Sequence, residues 1–379
     1  MFHDQYTEHM EARLFEQWDM FDSADDDYTA VIDFLNEKNV FHSFGDGLLS
    51  LMRESNPDLS AENAIKYIEN ACTEHGVSKS EIGSTNTLKS WFKGGPRPKK
   101  GEDSRNAMFA LAFALGLSPE KTAALFHKVY LDRAFDYRNE HELVFYHCLA
   151  HSKSWQDAKR LIDSIPTTSD VENGETIYTA VIKNTVDTLS SEDALLSYIS
   201  RNKYNFAKNN LSAKESVSKL LDKAHSIAKN ESSLPEYADQ YRGSNRDSVS
   251  FMYEVITGFS VSGNKGTTTI FKNARLPKEI KNRFPEAGTF SKKNPTYEEL
   301  RKMIVLLFSY VYWYHCQEND LSSDIDNYTE ELNAYLGNSG LPLLYYGNPF
   351  DWLFLYCNLA ERPLDAFREI LSEVLMSDI

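Results

Sequence analysis

The sequence predicts an all-α protein that ends in a helical array or bundle. Nearly every apolar pattern repeats with the 3.6-residue period of an α-helix. Residues that cap helices recur in front of these patterns. The chain has 379 residues, of which 41% are hydrophobic and 13% aromatic, enough for a sizeable core and two or three domains. We expect any strand to lie within residues 258–275, the one stretch with a short β-like pattern.

Shifts in composition predict three segments. Residues 1–75 are predicted to form an acidic helical segment, and residues 76–165 a domain of short helices. A polar, turn-rich stretch at 166–174 marks the boundary to a C-terminal helical domain over 175–379. Pro, Gly, Ser, Asn and basic residues dominate 230–295, which predicts a loop-rich insertion within that domain.

The N-terminal segment is helical and acidic. Its run of aspartates between Asp19 and Asp27 is predicted to cap a helix and face water. A calcium loop is the alternative for this run, but no glycine or distal glutamate completes that pattern. Ser60 has the position of an N-cap for a helix that continues to Cys72.

Several short helices are predicted between Gly76 and Leu131. Ser78 and Glu81 have the spacing of a capping box. Leu88, Trp91 and Phe92 then share one helix face, which predicts that Trp91 is buried beside its two neighbours. The Gly-Gly-Pro sequence that follows ends this helix.

Two further helices complete this block. Met108 and Leu111 lie on one face of a helix that ends at Gly116. Ser118 is a natural N-cap, and Pro119 a natural first residue, for the next helix.

The pattern Thr87-Leu88-x-x-Trp91-x-x-Gly94, followed by Pro-Arg-Pro and by Ser104 to Ser118, resembles the second half of a Cro/repressor-type helix-turn-helix domain. The resemblance covers about 55 of the 379 residues, and the helix before the recognition helix is about one turn shorter than in that family. It implies that the helix holding Thr87 contacts DNA. The residues implied to face bases are Ser84, Asn86, Thr87, Lys89 and Ser90, and those implied to face phosphates are Lys93, Arg97, Lys99 and Lys100.

More of the chain resembles helical proteins found in bacterial mobile elements. The blocks that carry this resemblance are Thr87 to Gly94, Val129 to Arg133 and Asn348 to Cys357. It implies an association with mobile elements, and no particular chemistry.

The charge distribution separates a basic block from an acidic chain. The formal net charge is −16, which opposes general affinity for nucleic acid. Between Lys79 and Lys100, however, there are six lysines and arginines and one acidic residue, Glu81. This block is either a local DNA-binding edge or a solvated loop.

No catalytic signature stands out, and the sequence predicts no catalytic residue, cofactor or metal site. Gly258 and Gly263 precede Asn264-Lys265, but a phosphate loop needs contiguous Gly-Lys-Ser/Thr. His147 and His151 share a helix face, so a zinc site is an alternative to two structural histidines. Whether the protein is an enzyme stays open.

The sequence predicts a cytoplasmic protein without a membrane segment. Its N-terminus lacks an apolar signal core, and the longest apolar run, Met303 to Tyr314, is too short to span a bilayer. The four cysteines are widely separated, which is typical of reduced thiols.

Two functions fit these observations. The first is a DNA-binding regulator that binds double-stranded DNA and has a C-terminal helical domain for dimerisation or ligand sensing. The second is a protein-binding adaptor or effector in a phage-defence or mobile-element system, without DNA binding. The apolar, aromatic helices near the C-terminus are predicted to be core, with a homodimer surface or a peptide groove as the alternative.

Overall fold

The predicted all-α fold is confirmed in a computed structural model of the chain. No strand occurs among the residues it describes. The described residues are 5–21, 28–37, 40–99, 101–166, 177, 179–206, 211–230, 249–258, 285 and 287–376. The predicted strand region lies outside them except for Gly258, and so does most of the predicted boundary at 166–174.

The helices are numbered in chain order. They are α1 Gln5–Phe21, α2 Thr29–Asn36, α3 Phe44–Arg53, α4 Ala61–Glu74, α5 Lys79–Ile82, α6 Thr85–Trp91, α7 Glu102–Ala114, α8 Pro119–Ala124 with a π-helix Leu125–Tyr130 directly after it, α9 Glu140–Ala150, α10 Trp155–Asp163, α11 Thr179–Thr188, α12 Glu192–Arg201, α13 Lys203–Phe206, α14 Leu211–Asn230, α15 Val249–Thr257, a 3-10 turn Ala287–Ser291, α16 Tyr297–Glu318, α17 Ile325–Asn338, α18 Pro349–Cys357 and α19 Pro363–Met376.

The chain divides into two compact units. The central unit is His42–Leu211, and the terminal unit combines Met1–Phe41 with Ser212–Ile379. This division differs from the three predicted segments, because the predicted segment 1–75 is shared between the units. The apolar stripe of α1, which includes Met10, belongs to the same core as the C-terminal helices, and composition alone does not show that long-range packing.

Helix starts match the predicted caps. The side chains of the predicted caps Ser60 and Ser118 accept hydrogen bonds from backbone N–H groups in the first turns of α4 and α8. Ser154 and Thr296 cap α10 and α16 in the same way. Ser78 forms the predicted capping box at α5. These starts are encoded locally, since a cap and its partner lie within three residues of each other.

One helix lies where a loop-rich insertion was predicted. Within 230–295 the structure describes α15, and its residues Phe251–Thr257 are buried. The apolar run is only a few residues long and is flanked by long polar stretches. The composition of the whole segment is therefore polar and does not predict helix α15.

Each unit contains the same succession of four helices, here called the four-helix motif. In the central unit it consists of α7, α8 with its π-helix, α9 and α10; in the terminal unit it consists of α16 to α19. The first helix packs on the fourth, and the third on the fourth, in both copies. Adding 209 to a residue number takes Asn139 to Asn348 and Cys148 to Cys357, so the third helices correspond in register.

A buried arginine holds the central copy together. Arg105 on α7 donates to both carboxylate oxygens of Glu142 on α9, at 2.8 and 2.7 Å. It also donates to the carbonyls of Arg133 and Ala134, at 3.0 and 2.9 Å. The backbone N–H of Asp136 donates to Glu142 at 2.6 Å. Through the Glu142 carboxylate and two backbone carbonyls, Arg105 thus fixes the connection between the π-helix and α9 to α7.

The terminal copy repeats this arrangement, and we call both clusters arginine clamps. Arg301 on α16 donates to both oxygens of Asp351 on α18, at 2.9 and 2.8 Å. It donates to the carbonyls of Pro342 and Leu343, at 3.0 and 3.2 Å. The N–H of Tyr345 donates to Asp351 at 3.1 Å. The carbonyls, the N–H donor and the carboxylate all lie 209 positions after their central counterparts, so one structural motif occurs twice.

Candidate nucleic-acid interface

Two short helices of the central unit meet at a two-residue turn. Helix α5 has four residues and α6 has seven. Gly83 donates its N–H to the Lys79 carbonyl at 3.0 Å and ends α5. Ser84 then caps α6, because its hydroxyl accepts a hydrogen bond from the N–H of Thr87 at 3.1 Å. The first helix is as short as the sequence indicated.

The inner face of α6 is anchored in the core. Leu88 is buried, and Trp91 is 4% exposed. The Trp91 ring contacts Phe44 edge-on, with centroids 4.7 Å apart. A Cβ on Gly45 would lie 2.2 Å from the Trp91 carbonyl oxygen, so only glycine allows α3 to approach this closely. The predicted burial of Trp91 is confirmed, and it fixes which face of α6 points outward.

The outer face of α6 carries Asn86 and Lys89, both exposed, and Lys93 follows just after the helix. Their spacing of three and four residues places them on one side of a helix. Ser90 is also exposed, but the N–H of Gly95 donates to the Ser90 carbonyl at 2.7 Å. The chain therefore turns back beside Ser90.

Two of the five predicted base-facing residues have a local structural role. The hydroxyls of Ser84 and Thr87 lie 2.9 Å apart and share a hydrogen bond at the start of α6. Their polar groups are thus occupied by the cap. Asn86, Lys89 and Ser90 are the predicted base-facing residues outside this cap.

Arg97 differs from the other predicted phosphate contacts. It is half-buried, and its guanidinium donates to the carbonyl of Val129 at 3.0 Å and to the carbonyl of His42. Its charge is engaged by protein backbone, which ties the segment after α6 to the end of the π-helix. We therefore assign Arg97 a positioning role.

Lys99 has an exposed side chain and a fixed backbone. Its carbonyl accepts a hydrogen bond from the hydroxyl of Tyr130 at 2.7 Å. Lys100 lies outside the described residues.

Lys89, Lys93 and Lys99 together form what we call the lysine edge. All three are exposed, and among the described residues none of them has an ion-pair partner. Many other lysines of the central unit are neutralised locally. These pairs are Lys79–Glu69, Lys121–Glu54, Lys153–Glu192, Lys159–Glu81, Lys183–Asp187 and Lys203–Glu140.

Glu81, the one acidic residue between Lys79 and Lys100, is itself compensated. Lys159 approaches its carboxylate to 2.9 Å. Burial alone would raise the pKa of Glu81, but hydrogen bonds from the Lys159 amine and the Ser78 N–H outweigh that effect and lower the pKa. The positive charge of the lysine edge is therefore not cancelled by Glu81.

The histidines at i and i+4 do not assemble a metal centre within the part of the chain that the structure describes. His147 is buried and its ring lies 4.3 Å from that of His151. Burial lowers the pKa of His147 to about 4, so the ring is neutral at pH 7. No group of three His, Cys, Asp or Glu side chains able to hold a metal occurs among the described residues.

The cysteines are buried free thiols. Burial raises the pKa of Cys148 to about 12, which keeps the thiol protonated and unreactive. No described helix is long and apolar enough to cross a membrane.

Comparison with known proteins gives no family for this chain: no family model, curated protein or solved structure matches it. The site is therefore interpreted from its own geometry.

Proposed function

We propose that the protein is a DNA-binding regulator whose central unit contacts duplex DNA through the lysine edge. The observation that carries this proposal is the contrast in charge pairing. Three exposed lysines on and after one short helix have no ion-pair partner among the described residues, in a unit where many other lysines are paired. Unpaired lysines on a shared surface supply the phosphate attraction that dominates DNA affinity.

The outer face of α6 suggests a division of roles. Asn86 and Lys89 lie on the helix, where amide and amine groups recognise adenine and guanine edges in the major groove. Lys93 and Lys99 lie on the segment that follows, and we assign them to phosphates. The resemblance of this block to helix-turn-helix domains agrees with that assignment. The acidic remainder of the chain disfavours indiscriminate binding.

The terminal unit is proposed to serve dimerisation or ligand sensing. Its long helix α16 does not offer an apolar surface for this role, because Met303 to Tyr310 are buried in the core of the unit. A dimer contact would therefore use other residues of that unit.

A salt titration tests the proposal. The two phosphate contacts assigned to Lys93 and Lys99 predict that log K falls against log salt with a slope of roughly −1.8 for duplex DNA. The triple variant Lys89→Ala, Lys93→Ala, Lys99→Ala should lose most of this slope and bind at least about tenfold more weakly at low salt.

The control variant removes the same charge from paired lysines of the same unit: Lys121→Ala, Lys183→Ala and Lys203→Ala. Both triple variants lower the net charge by three, so a non-specific charge effect would weaken them equally. Equal loss in the two variants, or no binding by the natural protein at micromolar concentration, would exclude the regulator.

The adaptor function is the second candidate, and one observation favours it. Helix α5 has only four residues, so the first helix of a helix-turn-helix is present only as a single turn. If the titration shows no binding, a pull-down against products of neighbouring genes would test whether the central unit binds a protein instead.

A further inference from the structure

We infer that Tyr130 is a positioning residue for the lysine edge, holding the backbone that carries Lys99. This inference rests on the proposed function, since it states how the DNA-binding edge is kept in place. It concerns a fully buried side chain that contacts no DNA itself.

The hydroxyl of Tyr130 is a junction between two segments. It donates to the Lys99 carbonyl at 2.7 Å, and Gly101 and Ser104 lie close enough to influence its pKa. Burial raises the pKa of Tyr130 far above its usual value, so the hydroxyl keeps its proton. The hydroxyl thus holds the backbone of Lys99 from the end of the π-helix.

A second anchor lies beside it. Val129 accepts the hydrogen bond from Arg97, and its side chain packs against α3, where a Cβ on Gly47 would lie 3.3 Å from a Val129 methyl group. The end of the π-helix is therefore wedged between α3 and the lysine edge. Two successive residues thus hold the segment 97–99, Val129 through the Arg97 side chain and Tyr130 through the Lys99 backbone.

The other four-helix motif shows that this tyrosine is not required by the fold. Ser339 occupies the equivalent position, and its hydroxyl donates to Ser216 on α14. Helix α17, which leads to it, is regular. The same motif thus forms without a tyrosine, so Tyr130 serves something that only the central unit has.

Fixing the backbone of Lys99 favours binding because less conformational freedom is lost when the lysine meets a phosphate. Tyr130→Phe removes the hydroxyl and leaves the ring in place. The matched control is Tyr328→Phe in the terminal unit. Tyr328 is also fully buried, and its hydroxyl forms a hydrogen bond with Ser309 at 2.7 Å.

Hydrogen exchange on the DNA-free protein tests the anchoring. We expect Tyr130→Phe to increase amide exchange in peptides covering residues 97–104 by about three- to tenfold, as one lost hydrogen bond allows. Tyr328→Phe should leave those peptides unchanged. Equal exchange in both variants would overturn the inference.

Titration with duplex DNA tests the consequence. Tyr130→Phe should weaken binding by about three- to tenfold and make the salt slope shallower by up to about 0.9, whereas Tyr328→Phe should match the natural protein. In a double-mutant cycle, Tyr130→Phe should add almost nothing once Lys99 is replaced by alanine, because both act on one contact.

The outcomes separate the two proposals. If the natural protein binds DNA and Tyr130→Phe binds equally well, or its effect adds fully to that of Lys99→Ala, the positioning role is wrong while the regulator stands. If the natural protein does not bind, both proposals fall.

Discussion

The two four-helix motifs share an arginine clamp and differ in what surrounds it. In the central copy Arg105 pairs with a second acid, Asp132, at 3.0 Å. Leu341 occupies the equivalent position in the terminal copy and is buried among apolar residues. The clamp therefore tolerates an ionic or an apolar neighbour.

What recurs in both copies is best explained as structure. A buried arginine with two carboxylates resembles a catalytic cluster when it is seen once. The same contacts around Arg301 show that this geometry holds a loop to a helix. Function is better sought in what only one copy has, which here is the lysine edge and its anchors.

The largest expected effect separates the two clamps. Asp351→Asn removes the carboxylate of the terminal clamp and leaves a buried arginine charge, which should lower the free energy of unfolding by about 3–5 kcal/mol. Glu142→Gln should cost less, about 1–3 kcal/mol, because Asp132 still faces Arg105. Urea unfolding of both variants measures the difference. If Glu142→Gln lowers the free energy of unfolding more than Asp351→Asn does, Asp132 does not compensate for the lost carboxylate.

The copies should also differ in their response to acid. His147 corresponds to Tyr356 in the terminal motif, and burial lowers the pKa of the histidine from its ordinary 6.5 to about 4. The unfolded chain therefore binds this proton between about pH 6.5 and 4 while the folded central unit does not. The free energy of unfolding should fall as pH drops through that window, by at most about 1.4 kcal/mol per pH unit.

His147→Phe removes this titration and should flatten the pH dependence of the central unit between pH 6.5 and 4. The nearby charged groups are His151, Lys153 and Glu192. Glu192 has a pKa lowered to about 2 by hydrogen bonds from Arg160 and Lys153, so it stays ionised across the window. If the free energy of unfolding of the variant depends on pH as strongly as that of the natural protein, His147 is not the source of this pH dependence.

A smaller change in stability is expected at the residue that follows the second helix of each four-helix motif. Leu131 and Gly340 are equivalent and both have positive φ, 56° and 67°. Gly340→Ala should cost about 1–2 kcal/mol, since a side chain is strained in this left-handed region. Gly337→Ala, inside α17, should instead stabilise by about 0.5–1 kcal/mol. Thermal unfolding of the two variants should give shifts of opposite sign.

Local patterns in the sequence were sufficient for most helices. Capping residues such as Ser78 and Thr296, and the apolar face that holds Trp91, act over one or two turns and can be read directly. The arginine clamps could not be predicted, because Arg105 and Glu142 are 37 positions apart and nothing local links them.

The duplication is faint in the sequence for a similar reason. Aligned at the offset of 209, the third helices share Asn139, Phe145 and Cys148 with their counterparts, while most neighbouring positions differ. Backbone carbonyls supply much of the shared geometry, and these carry no sequence signal. The anchoring of Arg97 and Lys99 was missed because their partners lie about 30 positions later.

The most direct test of the account is hydrogen exchange with and without duplex DNA at low salt. We expect the DNA to protect peptides covering residues 84–99, which carry the lysine edge, and to leave peptides covering 287–301 of the terminal unit unchanged. Protection confined to the terminal unit, or no protection anywhere at saturating DNA, would contradict the claim that DNA binding lies in the lysine edge, which only the central unit has.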